Sequence, residues 1–69
     1  MSRSQRAIGR LVGRAAEHRV SMTRLADAAD VTRVTLSNWR SGRSIPSLEK
    51  YLAVEDALND LINEKTGGN

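Results

Sequence analysis

The sequence lacks several residue types on which many enzymes, metalloproteins and secreted domains depend. It has no cysteine, which excludes disulfides and sites built on thiolate ligands. Its single histidine, His18, does not make a zinc site, and we interpret it as a surface residue. We find no paired carboxylates in an apolar setting, no Ser–His–acid set and no glycine-rich phosphate loop. The sequence therefore predicts a protein that is not an enzyme and that uses no metal and no cofactor.

Long apolar runs and aromatic residues are also scarce. No run approaches the roughly 20 apolar residues that a membrane span needs, and no apolar signal core follows the N-terminus. These absences predict a soluble intracellular protein. With only Trp39 and Tyr51 as aromatics, the core must be aliphatic, which suits packed helices. The length of 69 residues predicts one domain, residues 1–69, that buries only about 60% of its unfolded surface.

Charge is distributed unevenly along the chain. Residues 1–46 contain nine arginines, no lysine and three carboxylates, which gives them a net charge of +6. Residues 47–69 contain two lysines and five carboxylates, which gives them a net charge of −3. The planar guanidinium group of arginine matches phosphates and guanine edges. The distribution indicates one face that binds a polyanion and a second face with a different role. A basic surface that is simply solvated is the plainer alternative.

Residues 4–19 have the apolar spacing of an amphipathic helix. The apolar stripe consists of Ala7, Ile8, Leu11, Val12, Ala15 and Ala16. Four arginines lie off the stripe, on the predicted solvent side: Arg3, Arg6, Arg10 and Arg14. Gly9 and Gly13 each weaken the helix by about 1 kcal/mol relative to alanine.

Two helix start signals of the same design come next. Ser21 is a predicted N-cap for a helix over residues 22–29, and Thr32 is a predicted N-cap for a helix over residues 33–40. In each case an apolar residue precedes the cap and a leucine occupies the fourth helical position, as in a hydrophobic staple. Only residues 30–32 separate the two helices. Two short helices joined by such a turn are typical of a helix-turn-helix, here at about residues 22–40.

The rest of the sequence predicts a turn and one or two further helices. Gly42 permits the left-handed backbone that ends many helices, and Pro46 lies in the following loop. Ser47 is a predicted N-cap for a helix to about Lys65, either continuous or broken near Asn59. Its apolar positions are Leu48, Tyr51, Leu52, Val54, Ala57, Leu58, Leu61 and Ile62. Residues 66–69 are expected to form a flexible tail.

The predicted helix over residues 33–40 has a distinctive outward face. At about 100° per residue, Leu36 and Trp39 define the buried side, whereas Val34, Ser37 and Asn38 fall opposite them. In a DNA major groove, valine methyls contact the thymine methyl and an asparagine amide pairs with adenine. A small serine lets the helix approach closely. An exposed valine and an ordinary surface amide are the simpler readings of the same positions.

The surrounding residues extend this predicted interface. Arg33 is suited either to guanine or to a phosphate, and both alternatives stay open. The predicted base contacts are Thr32, Arg33, Val34, Ser37 and Asn38. Predicted phosphate contacts come from hydroxyls at helix ends and from the basic loop after residue 40. These are Ser21, Thr23, Thr35, Arg40, Ser41, Arg43 and Ser44. Ser21 and Thr32 are helix caps first, and the loop has a plain solvated alternative.

The run MTRLADAADVTRVTLSNW, residues 22–39, resembles the helix-turn-helix of phage lambda-type repressors and Cro proteins. The following RSGRSIPSL resembles the loop that leads to the fourth helix of that family. The resemblance covers about residues 5–60. It implies an all-α, lambda-repressor-like domain of four or five helices that binds operator DNA as a homodimer to control transcription. It also implies that the residues named above as base contacts face the groove.

The sequence departs from the family pattern at three places. Asp30 stands where the family usually has glycine at the turn, and aspartate tolerates the left-handed conformation second best. Met22 stands where the family often has a glutamine that contacts phosphate, which puts that contact in doubt. The region around Asn59 lacks the usual glycine, which leaves the last helix open.

Three functions fit these observations. The leading hypothesis is a sequence-specific regulator of phage or mobile-element type that binds a palindromic double-stranded operator near the nucleoid, in the cytoplasm of a bacterial or phage-infected cell. The alternative is an antitoxin that regulates its own promoter and binds a toxin through the acidic residues 47–69. The third is an adaptor that has lost DNA binding, against which Val34, Asn38 and the arginines argue.

A homodimer is expected, at least on DNA. The reason is that Leu58, Leu61 and Ile62 exceed what a small bundle is expected to bury, so they are predicted to form a two-fold interface. A further protein partner is not excluded. If the homodimer forms, the half-sites of the operator should lie about one helical turn apart.

Overall fold

Four α-helices make up the regular structure of the protein in a computed structural model that describes the backbone of residues 3–66 and the side chains of residues 3–64. They are α1 (Arg3–Glu17), α2 (Met22–Ala28), α3 (Arg33–Ser41) and α4 (Leu48–Thr66). The predicted all-α fold is confirmed, with four helices rather than five. α4 is continuous through Asn59, and its last residue, Thr66, was expected in the tail. The rest of that predicted tail, residues 67–69, lies outside the described residues.

Three helices begin at a hydroxyl side chain that caps them. Each capping oxygen accepts a hydrogen bond from the backbone N–H three residues later, at 3.0–3.1 Å. The capping residues are the predicted Ser21, Thr32 and Ser47. Each cap of this type stabilises a helix by about 1 kcal/mol. The starts of α2, α3 and α4 are therefore confirmed at the predicted positions.

The first three helices end with a residue in the left-handed conformation. These residues are Arg19 (φ 60°), Asp30 (φ 59°) and Gly42 (φ 85°). The N–H of the next residue returns to a carbonyl five residues earlier, as Val31 N donates to Ala26 O at 2.9 Å, which is a Schellman motif. Asp30 thus adopts the backbone conformation expected for the family glycine. The left-handed conformation of Arg19 was not predicted from the sequence.

One apolar core receives side chains from all four helices, and no polar side chain of the described residues is buried in it. Its members are Ile8, Leu11, Ala15, Val20, Leu25, Ala26, Ala29, Leu36, Trp39, Val54, Ala57, Leu58, Leu61 and Ile62. α4 packs against α1 and α2, and α3 packs against the same two helices. Among the described residues the backbones of α3 and α4 do not approach each other closely, and Val34 on the outer side of α3 is 67% exposed.

The prediction that Leu58, Leu61 and Ile62 exceed the capacity of the core is wrong. Their exposed fractions are 0%, 7% and 9%, because the long α4 lays this face across the other helices. They are therefore not available to a second copy in this conformation. The exposed apolar residues of α4 lie instead at its beginning, where Leu48 is 73% and Leu52 is 45% exposed.

Candidate nucleic-acid interface

The outward face of α3 consists of side chains that the core leaves in solvent. Leu36 and Trp39 are buried, which makes Trp39 a core residue rather than a stacking platform. On the other side of the helix Val34 is 67% exposed, and Arg33 and Ser37 are exposed beside it. No other helix of the described chain covers this face. An α-helix exposed in this way has the dimensions to enter a DNA major groove.

The beginning of α3 is held by a hydroxyl cap. Thr32 Oγ1 accepts a hydrogen bond from Thr35 N at 3.0 Å and lies 2.9 Å from Thr35 Oγ1. Both threonine hydroxyls are therefore engaged with each other. A helix N-terminus also carries partial positive charge and backbone N–H groups without helical acceptors. These groups suit a phosphate placed at the start of α3.

The end of α3 is closed by hydrogen bonds to one carbonyl. Asn38 O accepts from Arg43 N at 2.9 Å, from Ser44 N at 3.3 Å and from Ser41 Oγ at 3.2 Å. This arrangement fixes the loop against the last turn of the helix. It keeps the exposed Arg43 beside Arg40 at the same end of α3. The half-buried Asn38 therefore has a structural role through its backbone, and its side-chain amide has no hydrogen-bond partner among the described residues.

Two shallow grooves meet at Arg40. The first, of about 140 Å³, is lined by Met22, Arg33, Ser37 and Arg40. The second, of about 550 Å³, lies between α1 and α3. Its lining residues are Gln5, Arg6, Gly9, Arg10 and Arg40. Sequence reasoning placed the α1 arginines on the solvent side without linking them to α3. Their spacing of four residues was visible in the sequence, but their position beside Arg40 was not.

The arginines of this surface are not neutralised within the described part of the chain. The ion pair found among the described residues joins Arg24 of α2 to Glu64 of α4 at 3.7 Å, with both side chains about two-thirds exposed. Exposed pairs of this type contribute at most about 1 kcal/mol. Arg33, Arg40 and Arg43 make no comparable contact with a described carboxylate. The surface is therefore open to an external anion.

Most predicted contact residues lie around α3. The predicted base contacts occupy its exposed side and its cap, with Asn38 half-buried. Arg40, Ser41, Arg43 and Ser44 surround the end of the helix, where the Ser41 hydroxyl is already bonded to the Asn38 carbonyl. Ser21 and Thr23 lie apart from them, at the start of α2. The DNA contacts of all these residues stay predictions.

Other kinds of site find no support in the described residues. No three His, Cys, Asp or Glu side chains within residues 3–64 are grouped so that they could hold a metal ion. Nor does any helix of the described segment have the length and apolar character needed to cross a membrane. The basic surface around α3 is therefore the candidate site.

The comparisons with known proteins bear on this surface. The model of the helix-turn-helix family HTH_3 matches residues 14–61, which include α2, α3 and most of α4. Neither curated proteins nor solved structures gave a significant match. The family match confirms the resemblance to lambda-type repressors and Cro proteins, whose helix-turn-helix is a DNA-binding regulatory domain rather than an enzyme. The chain therefore belongs to the helix-turn-helix family HTH_3.

Proposed function

We propose that this protein is a sequence-specific regulator of transcription, of the phage or mobile-element Cro and repressor type, that reads a palindromic operator with α3. The observation that carries the proposal is Val34, an apolar side chain that is 67% exposed on the otherwise polar outer face of α3. A valine there has no packing role in the isolated chain. In a major groove its methyl groups meet the thymine methyl.

The neighbours of Val34 supply polar readout on the same helix. We assign the Asn38 amide to adenine N6 and N7, and the guanidinium of Arg33 to guanine O6 and N7 or to a phosphate. Ser37 is small, so it permits close approach of α3 to the base edges. Thr32 closes the helix end that points into the groove. These roles follow the docking of a recognition helix with its N-terminal residues on the bases.

Phosphate contacts fix the register of α3 on the duplex. We assign this role to Arg40 and Arg43 at one end of α3 and to the hydroxyls of Ser21 and Thr23 at the start of α2. Thr35, Ser41 and Ser44 complete the set that the sequence predicted. Each arginine that neutralises a phosphate adds about 0.9 to the slope of log K against log salt concentration. Binding is therefore expected to be strongly salt-dependent.

The regulator acts as a homodimer in this proposal, through a surface other than the one predicted from the sequence. Ile45, Leu48 and Leu52 are 69%, 73% and 45% exposed and lie in the loop after α3 and the first turns of α4. A two-fold axis through this patch joins the two chains next to the ends of their α3 helices. Glu49 and Lys50, both exposed, add one charge of each sign, which a two-fold contact would pair across the axis.

The proposed function is tested by selecting bound duplexes from a random pool at near-physiological salt and sequencing them. We expect enrichment of a palindrome whose half-sites lie about 10 base pairs apart, centre to centre. Salt-sensitive binding without any enriched sequence contradicts the proposal. That result would favour the antitoxin or adaptor hypothesis and direct attention to a protein partner of residues 47–69.

The dimer is tested separately by sedimentation of the protein on the selected palindrome. Two copies are expected per duplex, and Leu48→Ser with Leu52→Ser is expected to reduce binding to single copies on half-sites. Ala16→Ser is the matched control, because it changes an exposed apolar side chain of α1 outside both the patch and the predicted DNA contacts. A single copy per palindrome at high protein concentration contradicts the dimer and leaves the patch to another protein.

A further inference from the structure

The groove between α1 and α3 is a second basic feature, and its lining residues on α1 are outside the predicted set of contact residues. It is open, has a volume of about 550 Å³, and brings Arg6 and Arg10 of α1 next to Arg40 of α3. A hydrogen bond of 3.5 Å from Gln5 Nε2 to Arg40 O joins the two helices at its edge. The relative position of the three arginines is therefore set by the packing of α1 on α3.

The charges around this groove have one sign. Arg6 and Arg10 are exposed, and neither makes an ion pair with a carboxylate of the described residues. The acidic residue of α1, Glu17, lies at the far end of the helix, about two turns beyond Arg10. Like charges gathered in this way repel one another and raise the local potential, which attracts a polyanion.

Gly9 lies between the two α1 arginines and lines the same groove. A glycine inside a helix is unfavourable relative to alanine. A Cβ added to Gly9 would meet no atom within 4 Å, so close packing inside the protein does not require glycine there. The missing side chain instead leaves the helix backbone open between two guanidinium groups. Such a gap allows an extended anion to approach closely.

The groove shares one lining residue, Arg40, with the face that we propose for base readout. Arg40 also lines the smaller groove that contains Arg33 and Ser37 of α3. A DNA strand whose bases meet α3 carries its phosphates past the rim of the major groove. Arg40 lines both grooves, and Arg6 and Arg10 extend the basic surface from α3 onto α1.

We propose that the α1–α3 groove binds the phosphodiester backbone that flanks the base pairs read by α3. Arg6 and Arg10 hold phosphates together with Arg40, and Gly9 leaves room for the strand between them. This inference rests on the proposed function, because it assigns three further residues to the same DNA interface. It makes α1 a phosphate clamp in addition to its part in the core.

The first test measures binding to the selected duplex at several salt concentrations with Arg6→Gln, Arg10→Gln and the double variant. Each single change is expected to lower the salt slope by about 0.9, and the double change by about 1.8. The preferred sequence should not change, because phosphates carry no direct sequence information. Arg14→Gln is the matched control, since Arg14 Nη2 is held 2.9 Å from Asn59 Oδ1 on α4, away from the groove.

The second test uses the two glycines of α1. Gly9→Leu and Gly13→Leu both place a side chain where a Cβ meets no atom within 4 Å, so both should raise the thermal stability of the helix. Only Gly9 lines the groove. Gly9→Leu is therefore expected to weaken binding to all duplexes several-fold, and Gly13→Leu to leave it unchanged. Equal affinities for the two variants overturn the role of Gly9.

The outcomes separate this inference from the proposed function. Hydroxyl-radical footprints should show protected sugars beyond the half-site with the wild-type protein and lose only that protection in the double arginine variant. An unchanged salt slope and footprint in the double variant overturn the groove proposal, while the wild-type footprint on the palindrome still supports the proposed function. A wild-type protein that binds no duplex overturns both.

Discussion

Replacing Leu58 with alanine tests whether this residue belongs to the core of a single chain. Its exposed fraction is 0%, and leucine-to-alanine changes at such sites lower the free energy of unfolding by about 2.7–5 kcal/mol. At roughly 0.05–0.15 kcal/mol per residue, a domain of 69 residues has a total stability of about 3–10 kcal/mol. The variant should therefore lose a quarter of its stability or more, and in the least stable case it should be largely unfolded.

The assay is urea denaturation followed by circular dichroism at low temperature, at two protein concentrations that differ about a hundredfold. The difference between wild type and variant should be the same at both concentrations, because the lost contacts lie within one chain. Val34→Ala is the matched control, since Val34 is 67% exposed outside the proposed dimer patch and should change stability by no more than about 0.5 kcal/mol in the absence of DNA. A loss for Leu58→Ala below about 1 kcal/mol, or one that vanishes on dilution, would refute the reasoning.

Four further predictions concern the turn, the cap and the proposed interface. Asp30→Gly should raise the free energy of unfolding by about 0.5–1 kcal/mol, because φ is 59° there and a Cβ is disfavoured in that region; a lower melting temperature would count against this. Thr32→Ala should lower the free energy of unfolding by about 1 kcal/mol through loss of the hydrogen bond from Thr35 N. Thr32→Ser keeps a hydroxyl acceptor and should keep most of that stability, and urea denaturation of both variants checks the difference. Val34→Ser should leave stability within about 0.5 kcal/mol of wild type and reduce discrimination at one base pair by about 1 kcal/mol in competition binding; an unchanged base preference would exclude a thymine contact. Arg33→Ala should relax preference at one position, whereas Arg43→Ala should weaken binding to all sequences and lower the salt slope by about one; equal, uniform losses would mean that Arg33 contacts only phosphate.

The helix starts were predictable because a cap is a local interaction. Ser21, Thr32 and Ser47 each bond to an N–H three residues ahead, so the residues that decide the structure are adjacent in the sequence. The turn between α2 and α3 was predictable for the same reason. The left-handed Arg19 was not, because arginine has no preference for that conformation. There Val20 N returns to Ala15 O at 2.7 Å, and both residues are buried in the core.

The buried face of α4 was only partly predictable, because it depends on where the helix meets its neighbours. Apolar positions run along the whole of α4, and their periodicity does not say how far the other helices extend beside it. In the structure Leu58 and Leu61 are covered, whereas Leu48 and Leu52 lie at an end that is only partly covered. α4 therefore does carry apolar residues that the core leaves exposed, but they lie at its beginning, whereas the sequence predicted them near its end.

The candidate interface shows the same division between local and tertiary information. The outward position of Val34 follows from the helical period and from the burial of Leu36, which are both properties of one helix. The proximity of Arg10 to Arg40 is different, because these residues are 30 positions apart in the sequence. It arises only when α1 packs against α3. A helical wheel therefore predicts the exposed face of α3 more readily than it predicts which residues of α1 lie beside Arg40.

The uneven distribution of charge is expected to orient the protein as it approaches DNA. All nine arginines precede residue 47, and five of the eight carboxylates follow it, in or beside α4. The backbones of α3 and α4 do not approach each other closely in the described residues, so the carboxylates of α4 and the proposed base-reading face belong to separate helices. A polyanion attracts one side of such a molecule and repels the other, so it orients the protein during approach. In the proposed binding mode, repulsion between the acidic α4 and the DNA favours the encounter in which α3 faces the duplex.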